Sequence, residues 1–189
     1  MSGVGKDKSQ PMATTAIISI LCPDRVGLVA AIAGQLFDLG ANLEDTTFAV
    51  LCGGADFTSV CALPDGVSLE TVDAELRALP ELEDAKISVS RFDMDPDNGP
   101  SARITHHITV KGGDRPGLIA RLCEVFIQFK ANIVRLNSAI TQGPDGGNYE
   151  IRIGVWIPEA SVESCLATIV NTAGGLGMEC RWREVSKPR

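Results

Sequence analysis

Asp24-Arg25-Val26-Gly27-Leu28 recurs ninety positions later as Asp114-Arg115-Pro116-Gly117-Leu118. Each copy is followed at the same distance by an alanine and an asparagine, Ala41-Asn42 in the first half and Ala131-Asn132 in the second. A period of about 20 to 50 residues would indicate a solenoid, whereas a period of this length is enough for a compact domain with its own core. The sequence therefore predicts two similar domains in tandem.

The composition is that of a water-soluble globular protein, with 189 residues of which 44% are hydrophobic and 22% charged. No apolar run approaches the roughly 20 residues that cross a bilayer. The first residues are polar and lack the apolar core of a secretory signal. We expect no membrane contact, a cytoplasmic location, and a disordered leader at residues 1–15.

Charge and cysteine usage exclude several classes of function. The net charge is −7, and the basic residues are scattered, whereas a surface that binds DNA or RNA needs clustered lysine and arginine. The six cysteines have no Cys-x-x-Cys spacing, so neither a disulfide framework nor a structural zinc site is expected. We therefore expect no direct nucleic-acid binding, no metal and no cofactor.

Hydrophobic periodicity predicts the same order of elements in each half, strand, helix, strand, strand, helix, strand. In the first half Gly40 is expected to end the first helix, Gly53-Gly54 to form the hairpin turn, and Ser68 to cap the second helix. The second half repeats the order, with its hairpin turn at residues 143–147. Residues 93–102 are acidic and rich in proline and glycine, which is typical of a linker. We place the domains at residues 16–92 and 103–186.

This order of elements predicts an α+β fold, in which each domain is ferredoxin-like (βαββαβ) with both helices on one face of an antiparallel sheet. In that topology the strand after the first helix lies at the edge of the sheet. An uncovered edge has unpaired backbone groups, so two tandem copies can satisfy each other by joining edge to edge.

The repeated motif predicts a ligand site in the loop that precedes the first helix. The start of a helix has unpaired N–H groups and a partial positive charge, which suit a carboxylate. An asparagine at the start of the edge strand supplies donors and an acceptor for the polar groups of an amino acid. The candidate ligand-binding residues are Asp24, Arg25, Val26, Gly27, Leu28, Asn42 and Leu43 in the first copy, and Asp114, Arg115, Pro116, Gly117, Leu118, Asn132 and Ile133 in the second.

Structural roles for the same residues stay open at this point. The two aspartates can cap the helices, the two motif glycines can allow close packing, and each asparagine can be a turn residue before a strand. Structural constraints would repeat with the duplication, just as functional ones would.

The motif Pro-Asp-Arg-x-Gly-Leu before a helix, with Gly-Ala-Asn-Leu after it, resembles the ACT domain, a small regulatory ligand-binding module. The resemblance covers residues 16–185 as two domains. The run Gly40-Ala41-Asn42-Leu43-Glu44-Asp45-Thr46 is similar to the glycine cleavage system transcriptional repressor family. This resemblance implies a protein that senses a small amino acid such as glycine or serine and acts through a protein partner, such as a transcriptional activator. A homodimer is also compatible with it.

The two copies depart from this pattern in different ways. Val26 stands where the family pattern has proline, and Val134-Arg135 replace Glu44-Asp45 in the second copy. The two pockets are therefore not expected to be equivalent.

Other classes of function have less support in the sequence. His106 and His107 are the only histidines and have no cysteine or carboxylate at ligand spacing, so we expect no enzyme. Cys22 adjoins the helix-opening loop, where the helix would lower the pKa of its thiol, and a redox sensor is one alternative. A scaffold or oligomerisation module without a ligand is the other.

Overall fold

The computed structural model describes residues 14–94, 99–113, 116–143 and 146–186, without the side chains of 141–143, 146 and 147. Most of the predicted leader, the middle of the predicted linker, and the motif residues Asp114 and Arg115 lie outside the described residues. The chain divides into two compact units after Met94. The detailed domain bounds remain a prediction.

The first unit has four strands and two helices in the predicted order. Its elements are β1 (Thr14–Pro23), α1 (Leu28–Asp38), β2 (Asn42–Leu51), β3 (Gly54–Leu63), α2 (Leu69–Arg77) and β4 (Lys86–Arg91), with a short 3₁₀ turn at Pro80–Leu82.

The second unit repeats this order. Its elements are β5 (His106–Gly113), α3 (Leu118–Gln128), β6 (Asn132–Gly143), β7 (Gly146–Trp156), α4 (Val162–Gly175) and β8 (Glu179–Glu184), with 3₁₀ turns at Pro100–Ala102 and Glu159–Ser161.

Each unit contains one antiparallel four-stranded sheet, with strand order β2-β3-β1-β4 in the first and β6-β7-β5-β8 in the second. This confirms the α+β class and the two ferredoxin-like βαββαβ domains. The strand after the first helix, β2 or β6, lies at the edge of its sheet as predicted. The joining of these edges remains a prediction. Among the described residues, no helix has the length and apolar character needed to span a membrane.

Each unit has its own hydrophobic core, in which the sheet packs against the two helices. In the first unit Ile18, Ile32 and Phe57 are almost fully buried. In the second unit Ile108, Leu122 and Phe126 are equally buried. Burial alternates along β1 and β3, as a sheet with one face on a core requires.

The helix boundaries follow local chain chemistry. Gly40 adopts a left-handed φ of 74° just after α1, which confirms it as the helix stop. The Ser68 hydroxyl accepts a hydrogen bond from the Thr71 N–H at 3.1 Å, which confirms the predicted cap of α2. Gly174 and Gly175 lie in the last turn of α4.

The first hairpin differs from its prediction by one residue. Its two-residue loop is Cys52-Gly53, with φ values of 51° and 83°, and Gly54 already belongs to β3. Two successive positive φ values match the right-handed twist of the strands that the loop joins. The cysteine therefore occupies a position that glycine or asparagine usually takes.

The cysteines of the core are not activated, and the expectation of a lowered Cys22 pKa was wrong. Burial raises the pKa of the Cys22 thiol, with Asp24 adding to the shift and Arg25 opposing it. Cys22 is only 5% exposed, and burial is the largest cause of the raised pKa. Burial also raises the pKa of Cys61, and it raises the pKa of Cys165 to about 11.

Thiol alkylation tests this account of the cysteines. In the folded, reduced protein at about pH 8, we expect iodoacetamide to modify the exposed Cys52 first. Cys22, Cys61 and Cys165 should react on the order of 100-fold more slowly, since they need local opening. Peptide mapping by mass spectrometry identifies each site, and denaturant should remove the difference. Rapid modification of Cys22 in the folded state would contradict this account.

Substitution of two glycines, one just before α1 and one within it, tests whether the backbone at the start of the helix requires a positive φ. Gly27 has a φ of 91°, which an L side chain rarely adopts, although the space around it is open. Gly34 lies in the middle of α1 on its exposed side, has an ordinary helical φ, and leaves open space where a Cβ would lie. We expect Gly27→Ala to lower the free energy of unfolding by about 1 kcal/mol and Gly34→Ala to raise it by about 0.5–1 kcal/mol.

Urea denaturation followed by circular dichroism measures both changes. If Gly27→Ala stabilises the protein as much as Gly34→Ala, the left-handed start of α1 is wrong.

Candidate functional site

The first motif loop connects the end of β1 to the start of α1. The Asp24 N–H donates a hydrogen bond to the Gly53 carbonyl at 2.9 Å, which fixes the loop against the β2–β3 hairpin. Leu28 points into the core with 2% exposure, whereas the Val26 side chain is fully exposed. The loop is therefore anchored on both sides and presents residues 24–27 to solvent.

The start of α1 has unpaired amides. The first helical bond runs from the Ala31 N–H to the Gly27 carbonyl at 2.9 Å, and the Leu28 N–H makes only a 3.4 Å bond to the Arg25 carbonyl. No acceptor among the described residues takes the N–H of Val29 or Ala30. These two donors, with the positive end of the helix, can bind a carboxylate.

This geometry excludes the capping alternative for Asp24. The residue at the cap position is Gly27, and no side chain caps α1. It also excludes close packing as the reason for the glycine, because a Cβ at Gly27 would meet nothing within 4 Å. The glycine is needed for its positive φ, which turns the chain into the helix without a capping side chain.

An open concave surface of about 470 Å³ lies against this loop, lined by residues 24–30, Phe48 and Val50. Phe48 is 41% exposed and Val50 51%, so both have apolar surface facing solvent. The surface thus combines free amides and the charges of Asp24 and Arg25 with an apolar wall from β2. Sequence reasoning missed Phe48 and Val50, although they alternate along β2 on one face of an edge strand.

Asn42 and Leu43 lie at the other end of β2. Asn42 pairs with Ala62, whereas Leu51 at the end nearest the loop pairs with Gly54. The nine-residue separation of Asn42 and Leu51 along the strand (51 − 42) corresponds to about 30 Å. The structure therefore does not bring Asn42 to the motif loop of its own unit. Leu43 is half-buried and packs against the first core.

A bulge follows the asparagine in both units. The pairing shifts by one residue between Leu43 and Thr46 in β2, and between Ile133 and Arg135 in β6. A bulge of this kind bends an edge strand and redirects its side chains. In the first unit it leaves Glu44 and Asp45 exposed, and in the second it leaves Val134 and Arg135 exposed.

The described part of the second motif, residues 116–118, begins its helix as the first motif does, but the apolar wall beside it differs. Gly117 has a φ of 81° and precedes α3 without a side-chain cap, as Gly27 precedes α1. Pro116 is exposed and Leu118 is buried. Ser138 occupies the place of Phe48, and Ile140, 62% exposed, that of Val50. The aromatic part of the wall is therefore present only in the first copy.

Asn132 is engaged by its own unit. Its Nδ2 donates a hydrogen bond to the Ser101 carbonyl at 2.8 Å, which ties the start of β6 to the 3₁₀ turn before β5. Ile133 is half-buried against the second core. The Asn132 Oδ1 atom has no hydrogen-bond partner among the described residues and can accept a hydrogen bond from a ligand.

The histidines are arranged as alternation along β5 predicts, with His106 buried and His107 half-buried on opposite faces. Within the described part of the chain, no group of three or more histidine, cysteine, aspartate or glutamate side chains is arranged to hold a metal ion.

Comparison with known proteins identifies the fold. No protein-family model and no curated protein matches this chain. Among solved structures, an unknown protein from Galdieria sulphuraria superposes with a TM-score of 0.73 at 20% sequence identity, covering 92% of this chain and 99% of that one. A "putative glycine cleavage system transcriptional repressor" superposes with a TM-score of 0.67 at 14% identity, covering 94% of this chain and 100% of that one.

These two matches extend over nearly the full length of both partners, so the similarity covers both units and not one domain alone. At identities this low, the similarity establishes the fold and leaves ligand and partner open. The chain therefore has the tandem ferredoxin-like architecture that the resemblance to ACT domains implied.

Proposed function

We propose that this protein is a regulatory protein that binds a small amino acid at the motif loop and signals its presence to a protein partner. The observation that carries the proposal is the pair of unpaired amides of Val29 and Ala30, which open onto the concave surface walled by Phe48 and Val50. Such a surface accommodates a carboxylate at the helix start and an apolar portion beside it.

The charges at the loop fit a zwitterion. Asp24 and Arg25 both line the surface, and neither forms an ion pair within the described residues. The guanidinium of Arg25 complements a carboxylate together with the amides, and the carboxylate of Asp24 complements an ammonium. An α-amino acid has both groups, whereas a simple carboxylic acid or amine uses only half of the site. The resemblance to the glycine cleavage repressor family favours a small amino acid such as glycine or serine as the ligand.

Pairing of the edge strands would complete the site. If β2 joins β6 in an antiparallel manner, the start of β6 with Asn132 comes beside the end of β2 at the first loop. The same pairing brings Asn42 beside the second loop, residues 114–118. Exposure along nearly the whole of β2 supports an edge available for pairing. Two copies of the chain in a homodimer can make the same arrangement.

Signalling then requires that the two units can adopt two arrangements and that ligand and partner each bind one arrangement more tightly than the other. A ligand held by residues of both units favours the joined arrangement, and the partner must bind the two arrangements unequally. A protein partner such as a transcriptional activator fits the net charge of −7, which disfavours direct contact with nucleic acid. The role is regulatory and not enzymatic.

A scaffold without a small-molecule ligand is the second candidate. Phe37 on α1 and Ile127 on α3 occupy equivalent positions in the two units, and they are 77% and 75% exposed. Repeated exposed apolar residues on the first helix of each unit favour a protein-interaction surface. This surface can also serve the partner of an amino-acid sensor.

Thermal unfolding against the twenty amino acids tests the sensor. A ligand at about a hundred times its dissociation constant should stabilise the fold by roughly 2.7 kcal/mol, a shift of several degrees. We expect a selective shift for a small amino acid such as glycine or serine. Arg25→Gln should abolish most of the shift, while Arg91→Gln, an exposed arginine on β4, should retain it.

Asparagine variants identify the working pocket. If the first loop binds, Asn132→Ala should reduce the shift and Asn42→Ala should leave it intact, with exposed Asn137→Ala on β6 as the matched control. If instead Asn42→Ala reduces the shift and Asn132→Ala does not, the ligand binds at the second loop. No shift with any amino acid would refute the sensor and leave the scaffold.

A further inference from the structure

A second cavity of about 410 Å³ lies in the second unit, and none of its lining residues belongs to a motif loop. It is formed where β5 and β8 meet the start of α4. Its polar lining is acidic, with Glu159, Glu163 and Glu184, and Trp182 adds an indole that is 49% exposed. None of these three carboxylates makes an ion pair or hydrogen bond within the described residues.

A buried imidazole also lines this cavity. His106 is 4% exposed, and its Nδ1 lies 3.0 Å from the Thr105 hydroxyl oxygen. That hydroxyl also accepts a hydrogen bond from the Ile157 N–H at 3.0 Å and lies 3.2 Å from the Val155 carbonyl oxygen. The other ring nitrogen of His106, Nε2, has no hydrogen-bond partner among the described residues.

The neutral state of His106 follows from its surroundings. Burial lowers the pKa of His106, and the carboxylate of Glu184 opposes that shift. A neutral imidazole carries its proton on one ring nitrogen, and with the proton on Nδ1 it presents a lone pair at Nε2. The other ionisable groups that line the cavity are all carboxylates, and the indole of Trp182 adds a π face. Such a set favours a cation with N–H donors.

The duplication provides an internal comparison for this site. His106 corresponds in strand register to Ala16, and Glu184 corresponds to Arg91. Trp182 opposite Ile108 corresponds to Val89 opposite Ile18. The first unit therefore builds the same sheet with alanine, valine and arginine at these places. The fold does not require the imidazole, the indole or the carboxylate.

An apolar groove continues from the cavity along α4. Val162, Glu163 and Trp182 line both, and the groove then passes Leu166 and Val170. A ligand with a cationic end in the cavity can therefore lay an apolar chain between α4 and β8. The T-shaped contact of Trp182 with His106, with ring centroids 6.1 Å apart, holds the indole at the junction.

We propose that this cavity is a binding site for a small organic cation, an alkylammonium or alkylguanidinium. The cation donates to His106 Nε2 and to the carboxylates of Glu163 and Glu184. Its alkyl chain lies on Trp182 and in the groove along α4. The site is distinct from the amino-acid site at the motif loop and does not depend on it.

Fluorescence of Trp182 provides the test. The chain has two tryptophans, so Trp156→Phe leaves Trp182 as the only indole reporter. Titration of this variant with n-hexylammonium chloride should give a saturable change with a dissociation constant no higher than about 10 mM. Neutral 1-hexanol, which has the same chain, should bind at least about tenfold more weakly. Calorimetry on the unsubstituted protein provides a readout independent of the reporter.

Charge removal locates the site. Glu163→Gln combined with Glu184→Gln should weaken hexylammonium binding at least about tenfold. Glu179→Gln, on the same strand β8 and already paired with Arg181, should leave it unchanged. Circular dichroism confirms that each variant is folded.

Three results would overturn the proposal: no saturable binding of hexylammonium, equal binding of hexanol, or an affinity that the Glu163 and Glu184 substitutions do not alter. Each of them leaves the amino-acid site at the motif loop unaffected.

Discussion

A left-handed glycine at the start of the first helix is the constraint on which both halves of this protein depend. Gly27 and Gly117 have φ values of 91° and 81° and turn the chain from a strand directly into a helix. Neither helix has a side-chain cap, and at the start of α1 the Val29 and Ala30 amides have no acceptor among the described residues and can bind another group. A serine or aspartate cap would have given a more self-sufficient helix and closed this site. The N–H groups at the start of α1 thus stay available to a ligand, although a capping side chain would have made the helix more stable.

The two units have the same order of helices and strands but carry different side chains at equivalent positions. The first unit places Phe48 beside its motif loop, where the second has Ser138. The second unit replaces Ala16 of the first with His106 and opens an acidic cavity beside it. The two units therefore differ in the side chains that surround equivalent elements.

Features that depend on neighbouring residues were predictable from the sequence. Gly40 and Ser68 act within one helical turn, so the end of α1 and the start of α2 could be predicted. The strand order followed from the order of helices and strands along the chain. The hairpin loop shifted to Cys52-Gly53 because strand twist, and not the glycine pair, decides the turn. Phe48 and Val50 escaped notice because only the packed sheet brings β2 beside the loop. The prediction of a lowered Cys22 pKa was wrong because burial, which depends on the whole core, raises that pKa.

The central claim is that free amides at the start of α1 hold the carboxylate of an amino acid. Backbone-assigned NMR of the labelled protein, titrated with the amino acid that stabilises it most, tests this directly. The account predicts that the amide signals of Val29 and Ala30 shift together with the side-chain amide of Asn132, with one common dissociation constant. Shifts confined to other residues, with Val29 and Ala30 unmoved, would contradict it.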